Sequence, residues 1–369
     1  MRILFLANIG LGLYKFRREL MEKLAENNEV FFCIPNDEYV EPIKALGCKF
    51  INNPLLDRHG TNPIKELKLI FFYKKVFCDT KPDIVFTYTI KPNIYGGMVC
   101  AGLDIPYVTN ITGLGTAVEN NGLMQKITLY LYRIGLRKAQ MVFFQNTENR
   151  DFLLKHNVIK GKFDLLPGSG VNLEQYQYLP YPDMDTIDFV FVARVMKEKG
   201  IDQYLDAAKE IRKRYPETRF HICGFCEQDY HEQLKELDQS GVIIYHGLVS
   251  DMTDIYKNVS CTVHPTYYPE GLSNVLLESA ASGRPIITTD RSGCREVIDD
   301  GINGYVVKQQ DSHDLIKKIE KFLTLSVDER KAMGLAGRTK VEKEFDRNIV
   351  IQKYFDEVKA VGRHNEKND

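Results

Sequence analysis

Short apolar runs rich in Val, Ile and Phe alternate with longer amphipathic stretches along most of the chain. In the first half, period-3.6 patterns predict helices over Lys15–Ala25, Ile64–Cys78 and Asn93–Gly102. Strands that alternate with helices in this way form parallel sheets with helices on both faces, so the chain belongs to the α/β class. The strands predicted in this half are Arg2–Ala7, Glu29–Ile34, Lys49–Asn52, Asp83–Thr87, Pro106–Asn110 and Met141–Phe144.

The alternation is interrupted at Tyr176–Asp185, where two prolines and no periodicity predict a linker or surface loop. A second α/β unit follows, and the charged stretch 328–361 after it is predicted to be helical. Because open parallel sheets bind ligands outside the carboxyl ends of their strands, two facing units would form a crevice there. The strands predicted in this unit are Asp188–Val192, Arg219–Cys223, Val242–Tyr245, Ser260–His264 and Pro285–Thr289. The helices are Gly200–Tyr215, Glu227–Leu237, Ser273–Ser282 and Asp311–Leu323.

Composition and charge narrow the functional classes. The 369 residues are 44% apolar and 27% charged, which is ordinary for two globular domains and excludes disorder and coiled coil. A net charge of −1 argues against nucleic acid as a partner, although residues 1–180 carry 22 Lys and Arg against 17 Asp and Glu. That local excess favours an anionic surface or ligand for the first half.

Cysteine usage and the start of the chain indicate the compartment. Eight cysteines are scattered without a disulfide framework, as expected in a reducing environment. The apolar run Ile3–Leu13 is followed by charged residues and no small-residue cleavage site, so it predicts a buried strand rather than a signal peptide. No run approaches the ~20 apolar residues of a membrane span. We therefore expect a cytoplasmic protein.

The segment 269–283 carries the most chemical information. Gly271 predicts a turn after a strand, and Ser273 or Asn274 predicts the N-cap of a helix. The N–H groups of Leu272, Ser273 and Asn274 would then be free to bind an anion. Glu270 and Glu278 flank this helix start, which fits carboxylates that bind sugar hydroxyls beside phosphates. The alternative is a capped helix with a solvated glutamate.

Two basic residues follow the first strand of the second unit. Arg194 and Lys199 would face the same crevice, where a planar guanidinium and a compact ammonium could hold a diphosphate and stabilise it as a leaving group. The alternative is a solvated basic loop.

Glycine-rich loops follow strands in the first half. Gly10 and Gly12 begin a Gly-x-Gly pattern, but Lys15 occupies the third glycine of the dinucleotide fingerprint, so a nicotinamide site is disfavoured. Backbone at Gly12 could still approach a ligand closely, or the loop is only a tight turn. Gly168 lies in a similar loop. Cys223 and Cys226 form a C-x-x-C pair without a second ligand pair, so we expect no metal.

Two predicted helices, 64–77 and 123–138, mix Lys and Arg with aromatic and aliphatic residues. Such helices can lie in an anionic membrane interface. The alternative is core packing with a charged outer face.

Together these motifs resemble the retaining glycosyltransferases of family four, which have the GT-B fold of two Rossmann-like domains facing each other across a cleft. The motifs that carry the resemblance are Glu270-(x7)-Glu278 and Arg194…Lys199-Gly200, with support from 168–171 and 300–304. The resemblance covers essentially the whole chain. It implies a domain that binds the acceptor over 1–180, a domain that binds the nucleotide sugar over 181–345, and a helix with a polar tail over 346–369 that crosses back to the first domain.

The resemblance also implies roles for individual residues. Arg194 and Lys199 would hold the diphosphate, Glu278 the ribose hydroxyls, and Glu270 a donor hydroxyl remote from the anomeric carbon. Lys91 would lie on the acceptor side. It gives catalytic roles to Glu270, Arg194 and Lys199. It places Asn93 on the acceptor side together with Lys91. Donor contacts fall to Gly12, Gly168, Arg194, Lys199, Gly271, Leu272, Ser273, Asn274 and Glu278.

In the first half, Thr89–Asn93 and Ile111–Gly115 resemble the branch that acts on undecaprenyl-diphosphate sugars in surface polysaccharide or glycan assembly. The predicted reaction moves a hexose or N-acetylhexosamine from a UDP-sugar to such a lipid-linked saccharide, with an α-linkage and without metal or cofactor. The enzyme would work at the inner face of the cytoplasmic membrane. A UDP-sugar epimerase of similar build and a sugar-nucleotide sensor without catalysis are the alternatives.

Overall fold

A computed structural model describes residues 1–57, 60, 62–114, 118, 122–269 and 271–365. The chain divides into two compact units. The first unit consists of Met1–Ser169 with Asn348–Asp369, and the second consists of Gly170–Arg347. Each contains one parallel sheet, as the alternation of strands and helices predicts.

The sheet of the first unit buries side chains on both faces. Leu4 and Leu6 pack into one core, whereas Ile3 and Phe5 pack into the other. The strands are β1 (Arg2–Leu6), β2 (Glu29–Ile34), β3 (Lys49–Asn52), β4 (Ile84–Tyr88), β5 (Tyr107–Ile111), β6 (Met141–Phe144) and β7 (Phe163–Leu165). Their order is β3-β2-β1-β4-β5-β6-β7. The sequence predicted the first six; β7 has three residues and its first is exposed, so it produces no apolar run.

Helices cover both faces of this sheet. They are α1 (Gly10–Ala25), α2 (Val40–Lys44), α3 (Pro63–Thr80), α4 (Gly97–Leu103), α5 (Leu123–Gly135), α6 (Thr147–Lys155) and, at the end of the chain, α13 (Arg347–Asn365). One π-helical turn, Pro92–Gly96, precedes α4 where the sequence predicted continuous helix. The turn lies close to α5 because Gly135 has no Cβ that would strike the carbonyl oxygen of Ile94.

The second unit has six parallel strands in a doubly wound arrangement. They are β8 (Ile187–Val192), β9 (Thr218–Cys223), β10 (Ile244–Gly247), β11 (Cys261–His264), β12 (Ile286–Thr289) and β13 (Gly304–Val307), in the order β10-β9-β8-β11-β12-β13. Strand β13 was not predicted. The helices are α7 (Ile201–Arg214), α8 (His231–Gln239), α9 (Thr253–Asn258), α10 (Asn274–Ala281), α11 (Ser312–Leu323) and α12 (Val327–Glu344).

The first unit ends at Ser169, before the predicted boundary at 180. The reason is that the proline-containing segment packs on the second unit. The fully buried Arg284 guanidinium donates to the carbonyl oxygen of Pro180 at 2.7 Å, and Arg338 donates to that of Tyr176 at 2.8 Å. This segment is therefore a structural part of the second unit rather than a free linker.

Candidate active site

The two predicted cations of the second unit gather on one aromatic ring. The Cζ atom of Arg194 lies 5.5 Å from the ring centroid of Tyr268, and Nζ of Lys199 lies 4.8 Å from it. A tyrosine ring attracts cations electrostatically and holds them close together despite their like charge. Tyr268 was not among the predicted site residues, although the Tyr-Tyr pair immediately before the segment 269–283 was an available signal.

Backbone contacts fix the loop that carries these cations. Gly200 has φ +81°, and a Cβ at this position would collide with the carbonyl oxygen of Pro265. The carbonyl oxygen of Glu198 accepts hydrogen bonds from the N–H of Tyr267 at 2.9 Å and the hydroxyl of Thr266 at 3.3 Å. The loop after β8 is thus held against the loop after β11, which brings Lys199 to Tyr268.

Arg194 also has an acidic partner that was not among the predicted site residues. Its guanidinium forms an ion pair with Glu227, which precedes α8 because this helix begins at His231 rather than at Glu227 as predicted. Burial opposes the charge on Arg194, but Glu227 and Tyr268 outweigh it and raise the pKa of the guanidinium above its ordinary value. Arg194 is therefore a permanent cation whose side chain is 27% exposed.

The helix start predicted near Ser273 exists, with two corrections. Ser273 is the N-cap of α10, but its side chain makes no capping bond to the described residues and instead faces Nε2 of His264 at 3.4 Å. The N–H of Ser273 is not free for an anion, because it donates to the carbonyl oxygen of Gly293 at 2.8 Å. Leu272 is buried and Asn274 is half-buried beside it. The sequence could not identify Gly293 as this partner, because it lies in the loop after another strand.

His264, at the end of β11, lies beneath this helix start. Burial, and then the charge of Lys199, lower the pKa of its imidazole to about 3. The ring is therefore neutral at physiological pH, and it adds no positive charge next to Lys199.

Of the two acidic residues of the motif, only Glu278 lies within the described part of the chain. Glu278 is half-buried on α10 next to Tyr176; burial, and then this carboxylate, raise the pKa of the Tyr176 hydroxyl above its ordinary value. Gly271 is buried. Glu270 lies outside the described residues.

The predicted glycine sites of the first unit differ from each other. Gly12 lies inside the first turn of α1, because that helix begins at Gly10 rather than at Lys15. The N–H of Gly10 donates to the Asp37 carboxylate at 2.7 Å, which satisfies one donor of the helix end. A Cβ on Gly12 would meet no heavy atom of the described chain within 4 Å. Gly168 is buried with φ +61°, a left-handed conformation that suits glycine.

The predicted acceptor residues are both tied to the protein. Nζ of Lys91 lies 2.5 Å from Oε1 of Glu66 on α3, and both side chains are largely buried. Asn93 is 1% exposed and donates through Nδ2 to the carbonyl oxygen of Asn110 at 3.0 Å. A side chain so enclosed supports the backbone of its turn, and the placement of Asn93 on the acceptor side stays a prediction. Across the described ranges, no cluster of three or more His, Cys, Asp or Glu residues is suited to a metal ion.

Comparisons with known proteins agree with this arrangement. The profile "Glycosyl transferases group 1" matches residues 181–340, and the profile "Glycosyl transferase 4-like" matches residues 2–146. The chain is 26% identical over 375 residues to the N,N'-diacetylbacillosaminyl-diphospho-undecaprenol alpha-1,3-N-acetylgalactosaminyltransferase of Campylobacter jejuni, covering 96% of this chain and 97% of that protein. It is also 26% identical to the capsular polysaccharide biosynthesis glycosyltransferase CapM of Staphylococcus aureus, over 77% of each chain.

Solved structures show the same fold at low sequence identity. Anabaena HepE in complex with UDP superposes with a TM-score of 0.80 at 14% identity, over 98% of this chain and all of that one. A glycosyltransferase from Rickettsia africae also superposes with a TM-score of 0.80, at 18% identity and over 98% of each chain. The family resemblance and the predicted fold are thereby confirmed: this chain is a glycosyltransferase with the GT-B fold, and it belongs to the family of group 1 glycosyl transferases with a glycosyl transferase 4-like first half.

Proposed function

We propose that this enzyme transfers a hexose or N-acetylhexosamine from a UDP-sugar to an undecaprenyl-diphosphate-linked saccharide and forms an α-linkage. The Campylobacter relative, which matches nearly the whole chain, is named for a lipid-diphosphate-linked acceptor and an α-linkage, and this supports both parts of the proposal. The HepE structure is a complex with UDP, which supports UDP as the nucleotide of the donor. Among donors, the name of the relative favours N-acetylgalactosamine.

The proposed reaction is supported above all by the two cations, Arg194 and Lys199, that lie over the Tyr268 ring. As the bond from the anomeric carbon to the phosphate oxygen breaks, negative charge develops on the departing UDP. Arg194 and Lys199 would stabilise that charge more strongly in the transition state than in the bound sugar nucleotide. The acceptor hydroxyl would attack the same face of the sugar and pass its proton to the departing phosphate oxygen. This sequence retains the anomeric configuration.

Other residues would hold the donor. Glu278 would bind the ribose hydroxyls, and Glu270 a sugar hydroxyl away from the anomeric carbon. Backbone at Gly271 and Leu272, with Asn274, would contact phosphate. Gly12 and Gly168 remain predicted donor contacts.

We infer that no metal ion takes part, because two cations can supply the charge stabilisation of the leaving group. The expected result is full turnover in EDTA after passage over a chelating resin. Loss of turnover that returns with Mg²⁺ or Mn²⁺ would contradict this inference.

The reaction is tested by offering a panel of UDP-sugars together with synthetic lipid-diphosphate saccharides. Product mass identifies the donated sugar, and NMR coupling at the anomeric carbon identifies the linkage. Incubation without acceptor separates the alternatives: a new UDP-sugar would indicate an epimerase, and saturable binding without UDP release would indicate a sensor. Either result, or a β-linked product, would overturn the proposal.

We further propose that the enzyme works on the inner face of the cytoplasmic membrane through one surface of the first unit. Helices α3 and α5 both pack on the π-helical turn and contribute to the same core. Each leaves apolar side chains exposed at helical spacing, so each presents an apolar stripe. This surface, the docking face, consists of Ile64, Leu67 and Phe71 of α3 and Leu123, Met124, Ile127 and Tyr130 of α5.

Charge around the docking face favours an anionic bilayer over a second protein surface. The same two helices also carry exposed basic side chains: Lys65, Lys68, Lys74, Lys75, Lys126 and Arg133. Apolar burial combined with attraction to anionic lipid is the binding mode of interfacial helices. Among the described helices, none is long and apolar enough to cross a membrane.

The docking face is tested by flotation with phosphatidylglycerol vesicles. We expect the double variant Leu67→Ser/Phe71→Ser to lose most of its vesicle binding and to keep its turnover of a short-chain soluble acceptor. The matched control is Leu335→Ser, which removes a similarly exposed leucine from α12. Equal binding by the double variant and the wild type would contradict the proposal. Self-association of the wild type that the double variant loses would also contradict it, because the face would then bind a second copy of the chain.

A further inference from the structure

The turn after β4 has an unusual backbone. Thr89 has φ +67°, and among the described non-glycine residues with positive φ it alone is β-branched. Two of the others, Lys81 and Asp104, are helix C-caps, where this conformation is common. A β-branched residue is strongly disfavoured there because its side chain crowds the backbone. The rest of the fold must therefore hold Thr89 in place.

A second rare feature follows directly. The π-helical turn Pro92–Gly96 begins three residues later, and Lys91 between them forms the largely buried ion pair with Glu66. Strained residues and π-helical turns both concentrate at functional sites in proteins. Neither feature stabilises the fold locally, so their occurrence together points to a required shape.

A chain of buried hydrogen bonds supports this shape. The N–H of Asn93 donates to the carbonyl oxygen of Thr89 at 3.0 Å. The Asn93 side chain donates to the carbonyl oxygen of Asn110 at 3.0 Å, and the Asn110 side chain donates to the hydroxyl of Tyr354 at 2.7 Å. Asn93, Asn110 and Tyr354 are each at most 1% exposed. The chain thus runs from the strained turn to helix α13.

Tyr354 is itself rigidly placed. The ring centroid of Tyr354 lies 5.0 Å from that of Phe86 and 5.2 Å from that of Phe143. The Cζ atom of Arg17 lies 5.7 Å from the Tyr354 ring centroid. The contacts with Phe86 and Phe143 involve the ring, whereas the hydroxyl also interacts with Arg17 and Tyr88. Removal of the hydroxyl should therefore break the hydrogen bond without removing the packing.

We propose that Tyr354 is a positioning residue for the acceptor: through Asn110 and Asn93 it keeps the Thr89–Asn93 turn in the strained shape that binds the lipid-linked saccharide. The inference rests on the proposed function, because it takes this turn as part of the acceptor site. Without the hydroxyl, the turn would populate a relaxed shape for part of the time. Apparent acceptor affinity then falls with the fraction of competent molecules, whereas saturating acceptor restores the competent shape.

The first test is Tyr354→Phe in the full-length enzyme. We expect the KM for acceptor to rise about five- to tenfold, in keeping with one buried hydrogen bond, while kcat at saturating acceptor and the Kd for UDP stay within twofold. The matched control is Tyr132→Phe, because the buried Tyr132 hydroxyl has no hydrogen-bond partner within the described part of the chain. A KM for acceptor that is unchanged, or that rises equally in both variants, would overturn the proposal.

The second test is Thr89→Gly, because glycine adopts positive φ without steric cost. We expect Tm to stay the same or rise while the KM for acceptor rises at least threefold, since the turn loses its restriction to one shape. If Thr89 only maintained the fold, its replacement would lower Tm and raise the KM for acceptor together. A lower Tm, or an unchanged KM, would overturn the proposal. Absence of transfer by the wild-type enzyme would instead refute the proposed function.

Discussion

Polar residues follow the strands of both units, but they are held in different ways. In the second unit, Arg194 is partly exposed and rests on the Tyr268 ring. In the first unit, Lys91 is largely buried against Glu66, and Asn93 is enclosed by hydrogen bonds. A partly exposed cation such as Arg194 can exchange its acidic partner, Glu227, for an anionic ligand, whereas groups that are buried together with their partners can only maintain a shape. We infer that the second unit recognises the charge of its ligand, whereas the first unit recognises the shape of its ligand.

The largest effect should come from removal of a cation of the second unit. We expect Arg194→Ala to lower kcat by about 10²–10³, the usual loss when one preorganised charge stabiliser is removed. Steady-state kinetics with saturating UDP-sugar measure this loss directly.

The control for this variant is Arg214→Ala on α7. Arg214 is paired with Glu210 and Glu320 at the surface, where such pairs contribute little. Turnover of Arg194→Ala close to that of Arg214→Ala would remove Arg194 from the reaction and would remove the contrast between the units with it.

A smaller loss should follow from Glu278→Ala. If this carboxylate accepts hydrogen bonds from the ribose, its removal should weaken UDP binding about tenfold, because hydrogen bonds to charged groups are the stronger ones. Calorimetry with UDP measures the change, and Glu236→Ala on exposed α8 serves as the control. UDP affinity equal to that of the wild type would place the ribose elsewhere.

The pH dependence of stability should also distinguish the units. The folded pKa of His264 is about 3, below its ordinary value of 6.5, so the unfolded chain takes up a proton that the folded second unit excludes. The stabilising contribution is complete above pH 6.5 and is lost as pH falls toward 3, by about 1.4 kcal/mol per pH unit.

Calorimetric scans between pH 7 and 5 measure this slope. We expect His264→Asn to flatten it and His313→Asn, at an exposed position in the same unit, to leave it intact. An unchanged slope in His264→Asn would show that the imidazole is not held neutral by burial.

The sequence predicted those parts of the fold that are encoded by local patterns. The strands Glu29–Ile34, Lys49–Asn52 and Met141–Phe144 are observed with the predicted bounds, because each contains consecutive β-branched or aromatic apolar residues. Strand β7 was missed because Asp164 interrupts its three residues, and β13 was missed although it is as long as the predicted β6. The helix start at Gly10 was missed because two glycines in the first turn resemble a loop.

The site was predictable only to the extent that residues near in sequence are near in space. The motif around Ser273 and the basic loop at Arg194 could be recognised as segments. Their tertiary partners Glu227 and Gly293 could not, since no spacing along the chain encodes which loops meet. The hydrogen bond between Asn110 and Tyr354 spans 244 positions and was invisible for the same reason.

The smallest effect should be a gain. Glu227 competes with a diphosphate for the Arg194 guanidinium, and this carboxylate is 41% exposed. We expect Glu227→Gln to tighten UDP binding two- to fivefold, the scale of one partly exposed ion pair. Glu198→Gln removes the same charge from the neighbouring loop, where the side chain accepts a hydrogen bond from Gln228 rather than from Arg194, and should leave UDP affinity unchanged. Equal tightening in both variants would mean that UDP affinity depends on the total charge near the site and not on the ion pair between Arg194 and Glu227. No tightening in either would mean that Arg194 remains bound to Glu227 when UDP is present, so that Lys199 alone would bear the charge recognition assigned to this unit.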